Sequence, residues 1–385
     1  YHSISGARCA KNSRRPWAMA VGASVLDGKA VSSAVLDELR VRIQAESLRP
    51  HLHVISVGDD PASVVYVRQK RLAAEKIGVE FSQCCLPLET TLGELRAAIQ
   101  KGNLSTSFHG IIIQLPLPAG LRQHEREVLE MVEPAKDVDC FHPTNFGRLA
   151  LGEPSFLPAT PAGVVRLLQH YGVETKGKRC VIVGKSNIVG KPLGLMLARE
   201  NGPAATVTFC DQHTENLFEI TRQADILVVA AGRRHLLCDP AALRPDGQAV
   251  VIDVGIHRVQ NAEGKSIVQG DVDSEALRPH CRFLTPVPGG VGPMTVACLL
   301  EQVVEAASRL TSVSVLEAVK QVAVKSKLRQ PLRPEEVRRI MQRICPDFGE
   351  AELDALLAEI HANEDGSMFW DDVATWAWGA PVPAP

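Results

Sequence analysis

The sequence predicts an α/β fold of two lobes, an N-terminal parallel α/β lobe and a Rossmann-type lobe, with a small all-α C-terminal extension. Three observations predict it. Short β-rich runs alternate with amphipathic helical runs between residues 29 and 132, the pattern of a parallel sheet covered by helices. A second alternation, residues 179–255, begins with a strand that runs into Gly184-Lys185-Ser186-Asn187-Ile188-Val189-Gly190-Lys191-Pro192, a glycine-bearing strand-to-helix turn of the dinucleotide-binding kind. From residue 315 onward only amphipathic helical runs remain.

Taken in order, residues 29–45 carry Val31, Val35, Leu39 and Ile43 at helical spacing. Residues 51–57 alternate and are β-rich. Gly58-Asp59-Asp60-Pro61 is a turn, and a helix over 62–77 ends at Gly78, a residue suited to a C-cap. A strand over 79–86, a helix over 92–100 and an apolar strand over 109–115 closing on Gln114 follow. A helix over 122–132 and a turn at Asp137-Val138-Asp139 complete the first lobe. Pro158-Ala159-Thr160-Pro161 opens a helix over 162–171 that connects the lobes. The second lobe reads as strand 179–183, helix 193–199, strand 205–210, helix 217–224, strand 225–231 closed by Gly232, and strand 249–254 closed by Gly255. Its turn has the spacing G-x-x-x-x-x-G rather than G-x-G-x-x-G, so a tight turn in another doubly wound fold is the plain alternative. A helix over 295–309 returns toward the first lobe, and helices are expected over 337–345, 350–360 and 371–378. The expected division is a leading segment 1–24, a first α/β lobe 25–157 completed by the returning helix 293–311, a dinucleotide-binding lobe 158–292 and an extension 315–385.

The stretch Thr285-Pro286-Val287-Pro288-Gly289-Gly290-Val291-Gly292-Pro293-Met294-Thr295 packs three glycines and three prolines into eleven residues ahead of an apolar helical run. Such a loop is stiff, brings backbone close to a ligand and presents free N–H groups at a helix start. A stiff turn without a ligand is the other reading.

With 385 residues the chain is long enough for two or three domains. It is 45% hydrophobic and 22% charged with a formal net charge of −2, which argues against a nucleic-acid protein with a broad basic face. No apolar run approaches the roughly 20 residues that span a bilayer. Ten scattered cysteines without a C-x-x-C indicate neither a disulfide framework nor a zinc site, and fit a reducing compartment. Arg8, Lys11, Arg14 and Arg15 lie in a leading segment without acidic residues, which reads either as organelle targeting or as sequence ahead of a start at Met19. The expected location is therefore the cytoplasm or the mitochondrion.

Several segments together carry a resemblance. They are Ser63-Val64-Val65-Tyr66 with Lys70, Gln114-Leu115-Pro116-Leu117-Pro118, Lys136-Asp137-Val138-Asp139, Asn145-Phe146-Gly147-Arg148, the Pro158–Pro161 segment, the turn from Gly184 to Pro192, Val251-Ile252-Asp253-Val254-Gly255-Ile256, Gly270-Asp271-Val272 and the Gly/Pro stretch. Over residues 26–310 the chain resembles the bifunctional methylenetetrahydrofolate dehydrogenase/methenyltetrahydrofolate cyclohydrolase family. The resemblance implies oxidation of 5,10-methylenetetrahydrofolate to the methenyl form with hydride transfer to NADP or NAD, then hydrolysis to 10-formyltetrahydrofolate, in a homodimer.

It also implies roles. Tyr66 and Lys70, four apart on one helix, share a face; Tyr66 would lie against the folate rings and Lys70 at the reacting carbon. Gln114 would hold the lysine and a water, and Asp139 the amino-pyrimidine, with Asp137 structural. Pro288, Gly289 and Gly290 would border the substrate, with Thr295 capping or lining the next helix. Coenzyme contacts are expected from Gly184, Lys185, Ser186, Val189 and Gly190 in the turn, from Asp211 and Gln212 after the second strand, and from Gly232, Gly255, Ile256 and Thr295. Lys185 stands where the family usually has Arg, a residue that often meets the 2′-phosphate of NADP, and keeps its charge without the bidentate fork. Asp211 could bind ribose hydroxyls and repel that phosphate, so NADP is the implied coenzyme with NAD as the alternative. Ala159 replaces a usual Cys, and Cys140 replaces a usual Gly, at a cost if the position needs a positive φ. A catalytically silent scaffold whose tail binds a protein partner is the reading from another class. In that tail, residues 361–372 approximate a calcium loop, with Asn363, Asp365, Gly366, Met368 and Asp372 in register but His361 at the first ligand position. No metal site is expected there; Trp370, Trp376 and Trp378 would serve packing or a partner.

Overall fold

The computed structural model describes residues 23–260, 264–325, 333–344, 354, 357 and 366–368. The elements run β1 (Ser24–Val25), α1 (Gly28–Ala45), β2 (His51–Val57), α2 (Pro61–Ile77), β3 (Glu80–Leu86), α3 (Leu92–Leu104), β4 (Gly110–Ile113), α4 (Glu125–Glu130), α5 (Pro143–Ala150) and α6 (Ala159–His170). They continue with β5 (Arg179–Val183), α7 (Gly190–Ala198), β6 (Thr206–Cys210), α8 (Leu217–Thr221), β7 (Ile226–Val229), β8 (Val250–Asp253), β9 (His257–Gln260), β10 (Ser266–Gln269), α9 (Ser274–Leu277), β11 (Phe283–Leu284), α10 (Val291–Lys325) and α11 (Pro334–Ile344).

Two parallel sheets result. The first has the order β3-β2-β4, the second β1-β11-β8-β7-β5-β6, and β9 and β10 form an antiparallel hairpin. Strands β5, β7 and β8 are buried along almost their whole length because helices cover both faces, which is why they read as unbroken apolar runs. One continuous core joins the sheets through α1, α6 and α10, with Val35, Leu39, Leu167, Leu299 and Val303 among its buried side chains. In each sheet the chain reverses beside its first central strand. The crevices therefore open at the C-terminal ends of β2 and β4 and of β5 and β7, the places where α/β sheets bind ligands.

Several boundaries differ from the sequence reading. Ser24, assigned to the leading segment, pairs with Phe283, and Val25 pairs with Leu284, so the described residues pass through the six-stranded sheet before crossing to the other. Two residues are too few to show a period. Helices α6 and α10 start three and four residues earlier than expected. Pro161 and Pro293 sit in their first turns, where the missing N–H has no intrahelical partner anyway. Helix α10 also runs on past residue 309 to Lys325, α3 runs on to Leu104, and the expected helix over 122–132 splits into a 3-10 turn followed by α4. Helix α5 and the β9–β10 hairpin were not foreseen.

The chain divides into two compact units, residues 1–306 and 307–385. In the second, α11 matches the helix expected over 337–345, Val337 and Met368 are buried, and Arg338 pairs with Asp354 at 2.5 Å. Most of the approximate calcium loop and the helices expected over 350–360 and 371–378 lie outside the described residues. Among the described residues no helix is long and apolar enough to cross a membrane, and no cluster of ligating side chains could hold a metal.

Candidate active site

Helix α2 is punctuated at both ends. Asp60 accepts from Ser63 N at 2.8 Å, Pro61 fills the first turn, and Gly78 closes the helix with φ +85°. The helix leaves the C-terminal end of β2, so its first turns stand over the crevice of the three-stranded sheet. Tyr66 and Lys70, one turn apart, project from it. Across the crevice Gln114 follows β4, with its backbone N–H donating to Ile55 O at 2.8 Å. Its Nε2 donates to Leu115 O at 2.6 Å, which aims Oε1 at Lys70, and Lys70 Nζ donates to that oxygen at 3.2 Å.

The segment Lys136-Asp137-Val138-Asp139 divides its work. Lys136 Nζ donates to Asn103 O at 2.7 Å and Ser105 O at 2.5 Å, tying the end of α3. Asp137 is buried and accepts from Phe141 N, His142 N and Asn145 Nδ2 at 3.1, 2.9 and 2.9 Å. Asp139 accepts no hydrogen bond from the described residues, so its carboxylate keeps its acceptor capacity for a ligand. Burial pushes Asp139 up to about 6; the Lys70 charge opposes this and that of Asp137 adds to it. Burial pushes the Lys70 ammonium below its ordinary 10.5, against the pull of Asp139. Tyr66 is raised by burial, with the Arg258 charge opposing. Cys140 adopts φ +59° and is 0% exposed. The cost foreseen for a side chain here is therefore real, about 1–2 kcal/mol, set against the burial of the thiol in the core.

Beside this cluster lies a cavity of about 350 Å³ with mainly apolar walls. Tyr66 forms one wall, Gly255 and Ile256 another, and the loop Pro286–Gly292 with Pro288, Gly289 and Gly290 a third. Lys70, Gln114 and Asp139 are not among its lining residues, so Tyr66 is the group common to the cavity and to the α2 face that carries Lys70.

On the other lobe Gly184 follows β5 with φ +124°, and a Cβ there would fall 2.1 Å from Ala230 O. A Cβ on Gly190 would fall 1.9 Å from Gly184 O. The turn is therefore closed on itself as only glycine permits. Ser186 Oγ accepts from Val189 N at 3.1 Å and Gly190 N at 3.4 Å, which orders the start of α7. A cradle of backbone at a helix N-terminus over a sheet crevice fits the pyrophosphate of a dinucleotide. Lys185 Nζ lies 2.6 Å from Asp211 Oδ2, and that contact, with the His213 N–H, holds the Asp211 carboxyl below its ordinary value. Gln212 is exposed beside them, with Nε2 3.1 Å from His213 Nε2. Gly232 N donates to Asp271. Thr295 Oγ1 is 3.0 Å from Thr160 Oγ1 and donates to Val291 O at 3.2 Å; it is not among the cavity's lining residues. The structure thus groups Tyr66, Lys70, Gln114 and Asp139 at one crevice and the Gly184–Gly190 turn with Lys185, Asp211 and Gln212 at the other. Gly255, Ile256 and the Gly/Pro loop border the cavity.

Arg258, which also lines the cavity, and the buried Asp253 and Asp271 were not singled out from the sequence. Asp253 lies two residues before Gly255 and Asp271 directly after Gly270, so each reads as a turn acid, and only three-dimensional pairing shows otherwise.

Residues 26–139 match the family description "Tetrahydrofolate dehydrogenase/cyclohydrolase, catalytic domain", and residues 158–311 match the NAD(P)-binding domain of the same family. The "Bifunctional protein FolD" of Halalkalibacterium halodurans is 48% identical over 290 residues, 74% of this chain and 99% of that protein. The Bacillus subtilis protein of the same description is 44% identical over 293 residues, covering 75% and 99%. Among solved structures, the Campylobacter jejuni bifunctional FolD methylenetetrahydrofolate dehydrogenase/cyclohydrolase has a TM-score of 0.68 and 43% identity over 74% of this chain and 99% of that one. A Trypanosoma brucei relative, complexed with NADP cofactor and inhibitor, has a TM-score of 0.70 and 35% identity, covering 75% and 98%. With both domains matched in order, and with relatives of this identity covered almost end to end, the chain belongs to the tetrahydrofolate dehydrogenase/cyclohydrolase family.

Proposed function

We propose that the chain oxidises 5,10-methylenetetrahydrofolate to 5,10-methenyltetrahydrofolate and then hydrolyses it to 10-formyltetrahydrofolate in one cleft. The observation that carries this reading is the Lys70–Gln114 contact at 3.2 Å, with the Asp139 carboxylate, which accepts no hydrogen bond from the described residues, in the same cluster and Tyr66 joining it to the cavity. Asp139 accepts from the amino-pyrimidine of the pterin, and the Tyr66 ring packs on the folate. A nicotinamide coenzyme held by the Gly184–Gly190 turn would supply the hydride acceptor, and loss of hydride from the bridging methylene carbon would leave a cation spread over that carbon and its two nitrogens. That step needs alignment more than a base, and the shaped walls supply it. In the second step water adds to the cationic carbon. Gln114 orients the water and the neutral amine of Lys70 takes its proton; the resulting ammonium returns that proton to N5 as the carbon's bond to N5 breaks, and the hydroxyl proton is released to solvent to leave the formyl group on N10. Burial lowers the Lys70 pKa against the pull of Asp139, which raises the share of neutral amine able to take the proton.

NADP is the coenzyme that this reading favours, in keeping with the NADP-complexed relative and the cation at Lys185. The Lys185–Asp211 bridge favours NAD as a second reading, since Asp211 occupies the lysine and would repel a 2′-phosphate. The same reading extends to a homodimer, to a protein partner for residues 315–385, and to a cytoplasmic or mitochondrial location. The purified chain should convert 5,10-methylenetetrahydrofolate to the methenyl and formyl products with NADP or NAD; absence of turnover with either overturns the proposal. In the same assay Asp211→Ser should raise the kcat/KM ratio of NADP over NAD by about tenfold, or ~1.4 kcal/mol. An unchanged ratio would remove Asp211 from coenzyme selection.

A further inference from the structure

Two buried carboxylates outside the reacting cluster tie together three backbone segments that meet at the cleft. Asp253, the last residue of β8, is 1% exposed, and Asp271, which follows β10, is 0% exposed. Asp253 Oδ1 accepts from Gly255 N at 2.9 Å and from Asp271 N at 3.0 Å, and Oδ2 accepts from Val272 N at 3.0 Å. Asp271 Oδ2 accepts from Ala231 N at 2.7 Å and Gly232 N at 2.9 Å, while Oδ1 lies 2.7 Å from His257 Nε2. The chain of contacts continues to the Gly/Pro loop. Asp253 N donates to Thr285 Oγ1 at 2.7 Å, and that hydroxyl donates to Asp253 O at 3.5 Å.

The local sequence makes room for this arrangement. A Cβ on Gly270 would fall 1.7 Å from Asp253 Oδ2, and one on Gly255 would fall 2.4 Å from Asp271 Oδ1. The carboxylates therefore occupy the space that side chains would need. Burying two acids side by side is costly. Burial pushes Asp253 up to about 6 despite three N–H donors, and the charge of Asp271 adds to the rise. The segments so held are the Ala231–Gly232 turn at the coenzyme crevice, the Gly255–Ile256 wall and the base of the substrate-side loop. None of the network touches Lys70, Gln114 or Asp139.

We propose that Asp253 and Asp271, joined to the loop through Thr285, are positioning residues for hydride transfer. They hold the coenzyme-side turn and the substrate-side loop in one register, whereas hydration of the methenyl product depends on the other lobe's Lys70 and Gln114. This inference rests on the proposed function, and its test separates the two.

Asp271→Asn keeps the side-chain size but sets an amide against the two N–H donors and His257. Its dehydrogenase kcat should fall at least about tenfold, while hydrolysis of supplied methenyltetrahydrofolate keeps at least about half of the wild-type rate. Thr285→Val removes the hydroxyl link at nearly constant shape and should lower dehydrogenation alone by about threefold or more, with Thr285→Ser restoring it. The Thr285 pair decides the matter if Asp271→Asn does not fold. Equal loss of both activities in folded variants, or loss of neither, overturns the inference. A wild-type chain with neither activity overturns the proposed function instead.

Discussion

Lys70→Met should lower hydrolysis of methenyltetrahydrofolate by about 10²–10⁴-fold, the usual share of a positioned general base. Methionine keeps the length and apolar stem of the side chain and removes the amine. Gln114 Oε1 loses its donor at 3.2 Å, and the water loses its proton acceptor. Dehydrogenation should fall less, because hydride loss from the bridging carbon calls on no base. The check is to assay the two steps separately, supplying methenyltetrahydrofolate for the second. Hydrolysis persisting near the wild-type rate would remove Lys70 from its assigned role.

Gly190→Ala should weaken coenzyme binding by at least about tenfold, or ~1.4 kcal/mol. The new methyl would lie 1.9 Å from Gly184 O, a backbone atom that cannot step aside without moving the turn. Relief must come from opening the Gly184–Gly190 cradle, which also disturbs the Ser186 hydroxyl and its two N–H partners. Titration of the reduced coenzyme by its fluorescence measures the change. Hydrolysis of supplied methenyltetrahydrofolate should continue, since that chemistry sits on the other lobe. An unchanged coenzyme affinity would contradict the assignment of the turn.

The parts of the fold that were legible in the sequence are those with a repeated period. Val31, Val35, Leu39 and Ile43 mark the buried face of α1, and all four are buried. The bounds of β2 and β5 coincide with their apolar runs. What escaped notice was short or polar. Strand β1 has two residues, and the β9–β10 hairpin has strands of four with exposed residues among them. The site follows the same division. Tyr66 and Lys70 share a helix face by spacing, and Gln114 falls at a strand end. The roles given to them came from the resemblance, and the structure adds which groups are close. The buried pair Asp253 and Asp271 was hidden because the contacts that join the separate segments span 18 to 40 residues in sequence. Cys140 shows the opposite case, in which a departure from the family pattern pointed to a backbone strain that the structure contains.

On the proposed mechanism a half-buried lysine with a lowered pKa, held by Gln114 in a cluster with Asp139, handles the water in the second step. The pH profile of enzymatic methenyltetrahydrofolate hydrolysis, corrected for the spontaneous reaction, tests it most directly. The neutral amine is the active form, so the rate should rise with pH through an inflection below the ordinary lysine value of 10.5. Gln114→Ala should move that inflection. A rate that shows no inflection below 10.5, or one that Gln114→Ala leaves in place, would contradict the account.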